Sequence, residues 1–381
     1  MRILFITHTP LREGKGTQRF LIELGNYLTF IGNEVTLIEN NFEQLKDESS
    51  VNMVIFTTFK VSQISFKKGA LFYRLPVNIN LDNIDLIYVA SFNYLPFIDD
   101  DNIPIIFGMH VIYPQTAKYR SKFQRINFSL KELTFRLLVV NKWKRRTGKI
   151  GFHALNDEQA EWIKTITKNK YPVYVLPNPV PCDATDKEVP TEPLNNSFII
   201  LFFGSLSIGK GFATFLKLFD YLREKNNICF KESIFIAAGD GSMRNAALEY
   251  DKKYKNFRFI SKPSETKKIE LFKSTHVLIY PSMLDNFPYL IIEGQLLGLP
   301  VIASNVPGIR EIVIHNKTGI LCSVNSIHEF AWGINEYYNL KKEKFESYLN
   351  LRKNIQTITK RYCSCNVLPR YLSSFTEFLS D

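Results

Sequence analysis

The segment 276–304 constrains the fold more than any other part of the chain. It opens with an apolar run ending at Tyr280, as expected for a parallel β-strand covered on both faces. A loop follows, and then a helical stretch in which Pro288 suits the first turn, where a missing N–H costs little. A second apolar run, 301–303, comes directly after Pro300. This order predicts a parallel sheet, with the loop at the carboxyl ends of its strands, where open α/β sheets bind ligands.

Two acids in this segment, Asp285 in the loop and Glu293 in the helix, have seven residues between them. The first turn of a helix offers N–H groups and a partial positive charge, which favour a phosphate group. Because a carboxylate beside a phosphate would repel it, we expect the acids to contact sugar or ribose hydroxyls. A nucleotide sugar carries both kinds of group. The plainer alternative is that Asp285 caps the helix and Glu293 lies on its solvated face.

The same segment resembles the signature of the large retaining family-4 type glycosyltransferases, also described as glycosyl transferases group 1. The match extends over 285–293, 298–304, 307–313 and 316–321. Asp285 stands where the family usually has Glu, so the reach toward the donor sugar differs. Gly294 stands where the family usually has Ala, and it either lowers helix propensity or makes room for close backbone approach.

The rest of the chain alternates apolar strands with helical stretches, which is the pattern of doubly wound α/β folds. A proline-rich break at 177–181 and a polar stretch up to residue 197 divide the chain into two halves. The predicted elements are strands at 2–7, 34–39, 53–57, 86–90, 103–109, 150–154, 173–176, 198–203, 233–238, 257–260, 277–280 and 301–303, with a helix at 18–31.

A length of 381 residues suits two domains. We predict an N-terminal domain at 1–178, joined by a C-terminal helix at about 366–381, and a C-terminal domain at 179–365. The resemblance implies the GT-B architecture, in which two Rossmann-like domains face each other across a cleft. It also implies that the first domain is on the acceptor side and that the second binds the nucleotide-sugar donor.

Three glycine-rich turns follow predicted strands. The turn 204–211 resembles the diphosphate-binding turn of the family and contains Lys210, although Ser205 stands where the family often has Arg. The turn 239–241 is similar to the family's Gly-Asp-Gly turn, and its Asp240 is interpreted as a turn residue. In the first domain, Gly14 and Gly16 resemble the glycine loop that approaches the donor phosphate or the acceptor.

His110 ends a predicted strand and matches the histidine that follows the same strand in the family, near the transferred sugar. Without that match, a histidine at a strand end is commonly a satisfied structural residue, which is our interpretation of His153. The resemblance implies catalytic roles for His110, Asp285 and Glu293. It implies donor binding by Gly14, Gly16, Gly204, Ser205, Lys210, Gly239, Asn286, Phe287, Pro288, Tyr289 and Leu290.

The resemblance therefore implies a retaining glycosyltransferase that needs no metal ion or other cofactor and uses a nucleotide-diphospho sugar as substrate. Lys210 and the backbone N–H groups near 287–290 would stabilise the leaving diphosphate. The acceptor hydroxyl would attack from the front side, and the expected product is a hexose on a glycan or lipid-linked acceptor of the cell surface. Two alternatives remain open: a sugar-nucleotide epimerase with the same fold, and a non-catalytic scaffold or regulatory subunit.

The formal net charge of +11 implies anionic partners. Much of it lies in 118–149, where apolar residues recur at helical spacing and Glu132 is the one acid. Such a basic amphipathic helix is typical of proteins on anionic membrane surfaces, and the alternative is a helix packed on the sheet with solvated lysines. We recognise no RNA-binding motif, so nucleic acid is not an expected partner.

Localisation follows from the cysteines and from the apolar runs. The five cysteines have no metal-like spacing, which favours a reducing compartment. No apolar run is long enough to span a bilayer, and the first apolar run is interpreted as a strand rather than a signal peptide. We expect a cytoplasmic protein that associates peripherally with the inner face of the cell membrane.

Overall fold

The computed structural model describes residues 1–7, 11, 16–40, 60–64, 67–68, 73–74, 81, 83–90, 102–110, 147–181, 197–226 and 228–380. The chain divides into two compact units, Met1–Pro179 with Ser364–Asp381, and Val180–Cys363. Each unit is built on a parallel sheet with helices, so the predicted α/β fold is confirmed. The predicted strand at 53–57, Gly14 and the basic segment up to residue 146 lie outside the described residues.

The strands that the structure describes in the first unit are β1 Arg2–Thr7, β2 Glu34–Asn40, β3 Lys60–Ile64, β4 Lys67–Lys68, β5 Tyr73–Arg74, β6 Leu86–Val89, β7 Ile105–Gly108, β8 Ile150–Ala154 and β9 Val173–Val175. Seven of them form a sheet in the order β3-β2-β1-β6-β7-β8-β9, and all of its pairings are parallel. The central strands β6, β7 and β8 are buried along their whole length, as expected for parallel strands that are covered on both faces. A short antiparallel pair, β4–β5, stands apart from this sheet.

The second unit contains a six-stranded, fully parallel sheet in the order β12-β11-β10-β13-β14-β15. Its last strand was not predicted as a strand, although its residues belong to the motif at 316–321. The strands are β10 Phe198–Phe203, β11 Ser233–Gly239, β12 Phe257–Ser261, β13 Val277–Tyr280, β14 Val301–Ser304 and β15 Gly319–Cys322.

Helices cover both sheets. In chain order they are α1 Gly16–Phe30, α2 Asp157–Thr167, α3 Phe212–Lys225, α4 Ile228–Lys231, α5 Arg244–Lys253, α6 Glu265–Ser274, α7 Tyr289–Leu296, α8 Pro307–Arg310, α9 Ile327–Glu343, α10 Phe345–Thr359 and α11 Ser364–Ser380. Among the helices that the structure describes, none is long and apolar enough to cross a membrane.

The C-terminal helix α11 packs into the first unit. Its buried residues Leu368, Tyr371 and Phe375 recur at spacings of three and four, so they form one apolar face. This face joins the same core cluster as Phe20 of α1 and Phe5 of β1. The end of the chain therefore completes the core of the unit in which the chain begins.

Helix α7 is held at its C-terminal end by α10. The Arg352 side chain is only 4% exposed and donates from Nε to the carbonyl oxygen of Gly298, at 3.0 Å. Gln356 Nε2 donates to the carbonyl oxygen of Leu296, at 2.9 Å. These bonds satisfy carbonyls that have no partner within the helix, and a cation at this end opposes the negative pole of the helix dipole.

His276, directly before β13, links that strand to β10. Its Nδ1 accepts the backbone N–H of Ile199 at 2.9 Å, and its ring stacks on Phe198 with 5.2 Å between ring centroids. Burial lowers the pKa of His276 from its ordinary value of 6.5 to about 3, and nearby Lys341 and Arg352 act in the same direction. The imidazole is therefore neutral in the folded protein throughout the physiological pH range.

This histidine should make the fold sensitive to acid. Between about pH 6.5 and 3 the unfolded chain binds a proton that the folded chain does not, so stability falls as pH falls, by up to about 1.4 kcal/mol per pH unit. His276→Asn keeps an acceptor near Ile199 but does not titrate. We expect urea midpoints measured from pH 7 to pH 4 to fall less steeply in this variant. An unchanged slope would show that His276 does not take up the proton on unfolding.

Candidate functional site

The candidate site lies at the carboxyl ends of β10 and β13, two neighbouring parallel strands at the centre of the second sheet. From β10 the chain adds β11 and β12 on one side and then continues with β13 on the other. The strand order thus reverses between β10 and β13. Open α/β sheets bind ligands at such a reversal, because the loops that follow the two strands diverge there.

The loops after these two strands pack directly against each other. The backbone N–H of Met283 donates to the carbonyl oxygen of Gly209, at 3.0 Å. Gly211 has a φ of +77°, and a Cβ at this position would lie 2.0 Å from the carbonyl oxygen of Pro281. Only glycine fits this position, both for its backbone conformation and for the lack of space.

Lys210 and Asp285 form an ion pair between the two loops. Lys210 Nζ donates to Asp285 Oδ2 at 2.6 Å, and the Tyr280 hydroxyl donates to the same oxygen at 2.6 Å. The Asp285 side chain is 14% exposed, whereas that of Lys210 is 40% exposed. Burial, and then the Asp285 carboxylate, raise the pKa of Tyr280 well above its ordinary value, so its hydroxyl remains a donor.

This geometry revises two expectations about Asp285. The sequence separated the roles of Lys210 and Asp285, whereas in the structure the two side chains contact each other. Asp285 does not cap α7, because the N-cap position belongs to Pro288, whose φ is −75° and ψ is 104°. Pro288 was predicted within the first helical turn and instead precedes it by one residue.

Glu293 is not solvated, contrary to the plainer alternative. Its side chain is 12% exposed and forms an ion pair with Lys268 of α6, with 2.9 Å between Oε2 and Nζ. Lys268 Nζ also lies 2.5 Å from a carboxylate oxygen of Glu265, whose side chain is 81% exposed. Lys268 was not among the predicted site residues. The sequence could have indicated its burial, because the spacing of Lys268, Leu271 and Phe272 places all three on one face of α6, and this face is buried.

The start of α7 is built from the predicted donor-binding residues 286–290. Asn286 and Phe287 are buried, and the Phe287 ring packs on Tyr362 with 5.6 Å between centroids. Phe287 can therefore contact a ligand through its backbone but not through its side chain. Tyr289 and Leu290 are half-buried. Within the described residues, no side chain caps the helix, and the N–H groups of a first turn have no partners inside their own helix.

The glycines of the β10 and β11 turns bring these two turns together. Gly204 and Gly239 have φ values of +136° and +144°, and a Cβ on Gly239 would lie 1.9 Å from the carbonyl oxygen of Gly204. Ser205 is exposed, with its hydroxyl 3.4 Å from that of Ser207. Asp240 accepts the N–H of Gly241 at 2.9 Å, and this bond lowers the pKa of Asp240. Asp240 also forms ion pairs with Arg244 and Lys262, each with 3.5 Å between nitrogen and oxygen.

His110 lies in the first unit, two residues after the end of β7, which ends one residue earlier than predicted. Its Nε2 is 3.2 Å from the Tyr88 hydroxyl, and its ring packs on Phe20 with 4.3 Å between centroids. Burial lowers the pKa of His110 to about 3, so the imidazole is neutral at pH 7. Nδ1 is buried, and no described residue forms a hydrogen bond with it. Gly16, another predicted site residue of this unit, begins α1 and is exposed.

His153 has the contacts of a structural residue. It is 2% exposed, its Nε2 lies 2.9 Å from the Ser374 hydroxyl of α11, and its ring stacks on Phe375. Burial lowers its pKa to about 3, and His110 contributes to this shift. These contacts attach the C-terminal helix to β8.

Two glycines near the site should respond oppositely to alanine. A Cβ on Gly308 would lie 2.1 Å from the carbonyl oxygen of Asn286, whereas a Cβ on Gly294 would meet Leu299 at an ordinary 3.5 Å. We expect Gly308→Ala to lower the free energy of unfolding by about 1–3 kcal/mol through overpacking. Gly294→Ala should raise it by up to about 1 kcal/mol through helix propensity. Urea unfolding of both variants checks the pair, and a stable Gly308→Ala would contradict the close approach.

Comparisons with known proteins concern the family and the fold of the chain. Residues 184–358 match the family described as glycosyl transferases group 1. An uncharacterized glycosyltransferase of Methanocaldococcus jannaschii is 29% identical over 167 residues, which are 39% of this chain and 41% of that protein. The UDP-Gal:alpha-D-GlcNAc-diphosphoundecaprenol alpha-1,3-galactosyltransferase of Escherichia coli is 28% identical over 211 residues, 52% of this chain and 53% of that protein.

The chain thus spans about half or less of the length of these curated relatives. Solved structures extend the comparison to the whole fold. The crystal structure of Anabaena HepE in complex with UDP and glucose has a TM-score of 0.66 at 15% identity, and the match covers 99% of each chain. Residues 184–358 thus match the glycosyl transferases group 1, which the sequence predicted, and the predicted GT-B fold is confirmed.

Proposed function

We propose that the protein is a retaining glycosyltransferase that moves a hexose from a nucleotide-diphospho sugar to a glycan or lipid-linked acceptor. One observation carries the proposal. Lys210 and Asp285, from the loops of two adjacent strands, meet at 2.6 Å where the strand order reverses. A cation for a diphosphate and an acceptor for sugar hydroxyls are therefore present together at the edge of the sheet where α/β folds bind ligands.

The phosphate end of the donor is assigned to Lys210 and to the start of α7. The Lys210 side chain is 40% exposed, so its ammonium group can be reached by a ligand. The first turn of α7 supplies N–H groups and the positive end of a helix dipole, and Arg352 lies at the opposite end of this helix. In this proposal these groups stabilise the charge that develops on the leaving diphosphate, and no metal ion takes part.

The hydroxyl-bearing ends of the donor are assigned to the two acids. Both bonds to Asp285 that the described residues make reach Oδ2, so Oδ1 faces the sugar in this proposal. Glu293 accepts hydrogen bonds from the ribose. In the first unit, the neutral His110 offers its buried Nδ1 to a sugar hydroxyl.

The relatives support the substrate class. By its name, the Escherichia coli relative uses UDP-Gal and a sugar on diphosphoundecaprenol, which favours a nucleotide-sugar donor and a lipid-linked acceptor here. The HepE crystals contain UDP and glucose. A role in cell-surface polysaccharide synthesis follows from such an acceptor. Peripheral membrane binding through 118–149 remains a further part of the proposal, to be tested by pelleting with anionic vesicles.

Loss of Lys210 should affect the chemical step. A thermal-shift panel of UDP-, GDP- and ADP-hexoses first identifies the donor, since a ligand that binds only the folded protein stabilises it. With that donor and a lipid-diphosphate-linked sugar as acceptor, Lys210→Ala should lower kcat by roughly 100-fold, because the leaving diphosphate loses its cation. Release of nucleoside diphosphate gives the rate.

The matched control is Lys217→Ala, which removes an equally charged, exposed side chain from α3 and should leave the rate unchanged. Stabilisation by a nucleotide sugar without any transfer would favour a non-catalytic subunit. Conversion of the donor into its epimer without an acceptor would favour the epimerase.

The stereochemistry and the metal requirement of the reaction form a separate prediction. The anomeric proton of the first-formed product, observed by NMR, should show the same configuration as the donor. Addition of EDTA should leave the rate unchanged, because Lys210 and α7 neutralise the diphosphate. An inverted product, or a rate that EDTA abolishes and Mg²⁺ or Mn²⁺ restores, would refute that part of the proposal.

A further inference from the structure

Lys268 lies in helix α6, outside the loops at the sheet edge, and it is buried. The residue is 7% exposed, and lysines are almost never buried unless they are paired. Its ammonium group lies between the Glu293 carboxylate, at 2.9 Å, and the Glu265 carboxylate, at 2.5 Å; these side chains are 12% and 81% exposed. Because water screens an exposed charge, Glu293 is the partner that compensates the burial of Lys268.

We propose that Lys268 is a positioning residue for the nucleotide: it holds the Glu293 carboxylate in the orientation in which it accepts the ribose hydroxyls. This inference rests on the proposed function and extends it to a residue of α6. Lys268 donates to Oε2 of Glu293 and thereby fixes the plane of the carboxylate. A glutamate side chain that is fixed before the ligand arrives loses less conformational entropy on binding.

The charge of Lys268 matters as well as its bond. Glu293 is in α7, the helix whose first turn receives the diphosphate in the proposed function. An uncompensated carboxylate in a low-dielectric surrounding would repel that diphosphate, and the adjacent ammonium group cancels this repulsion. The same side chain therefore both orients the hydroxyl acceptor and allows an anion to bind close to it.

Both helices that carry the pair are fixed at one end. The Ser264 hydroxyl caps α6 by accepting the N–H of Lys267 at 3.2 Å. Arg352 satisfies carbonyls at the C-terminal end of α7. A pair between two anchored helices is suited to a precise orientation. It could also act only as a link between the helices, and the experiment must separate these two roles.

Recognition of the ribose distinguishes an orienting role of Lys268 from a purely structural link between the helices. Calorimetric titration measures the affinity of the full-length protein for the nucleoside diphosphate of its donor and for the 2′,3′-dideoxy analogue. We expect the wild type to prefer the ribose form by about 10- to 100-fold, since hydrogen bonds to a charged group are stronger than neutral ones. Lys268→Met, of similar length but uncharged, should bind the ribose form about tenfold more weakly and prefer it by less than about threefold.

Three further variants control for charge and folding. Lys267→Met makes the same change at the neighbouring exposed lysine and should behave as the wild type. Lys268→Arg should restore most of the ribose preference. If Lys268→Met alone is unstable because Glu293 loses its lysine partner, Lys268→Met combined with Glu293→Gln removes both charges and should still lack the preference. In turnover, Lys268→Met should raise the donor KM and leave kcat nearly unchanged.

The outcomes differ in what they overturn. If Lys268→Met weakens binding but keeps the full ribose preference, the pair only links the helices and the inference is wrong. Binding by Lys268→Met equal to that by Lys267→Met overturns it as well. A wild type that binds no nucleoside diphosphate refutes the proposed function itself, whereas a wild type that binds it without ribose preference refutes the role of Glu293 and, with it, that of Lys268.

Discussion

The parallel pairing of β10 with β13 is the contact on which the candidate site depends. It places Ile200 opposite Val277 and Leu201 opposite Leu278, so the two strands end side by side. Their loops then approach to backbone hydrogen-bonding distance, which is sterically permitted only because Gly211 has no Cβ. Lys210, the residue before that glycine, thereby comes within reach of Asp285. The reversal of strand order thus brings Lys210 and Asp285 close enough to form an ion pair.

The pairing of each acid with its own lysine resolves the apparent conflict between carboxylates and a diphosphate. Asp285 is bonded to Lys210 and Glu293 to Lys268, so each negative charge has a positive charge within 3 Å. The two lysines differ in exposure: Lys210 is 40% exposed and Lys268 only 9%. A ligand can therefore compete with Asp285 for the ammonium group of Lys210, whereas the ammonium group of Lys268 stays bonded to Glu293. The two pairs are chemically alike, but only in the Lys210–Asp285 pair is the ammonium group exposed to a ligand.

Apolar runs predicted much of the fold, because in parallel sheets a strand buried on both faces is apolar along its whole length. The bounds of β1, β8, β10 and β13 agree with the prediction. What apolar runs do not report is which polar side chains meet in three dimensions. Lys268 is 25 residues before Glu293 in the chain and resembles any lysine of a charged helix. The low exposure of Glu293 could have been predicted from the sequence, because most residues around it in α7 are apolar, as in a helix without a solvated face.

The neutral state of His110 restricts which groups can stabilise the charge that develops in the proposed reaction. Gly108 leaves room for the Tyr88 hydroxyl, since a Cβ there would lie 2.2 Å from it, and this hydroxyl reaches His110 Nε2. The ring is thus held by a neutral partner, and burial keeps it uncharged at physiological pH. A neutral imidazole can orient a hydroxyl but cannot neutralise a diphosphate. In the proposed transfer, the charge on the leaving group is therefore assigned to Lys210 and the first turn of α7 and not to His110.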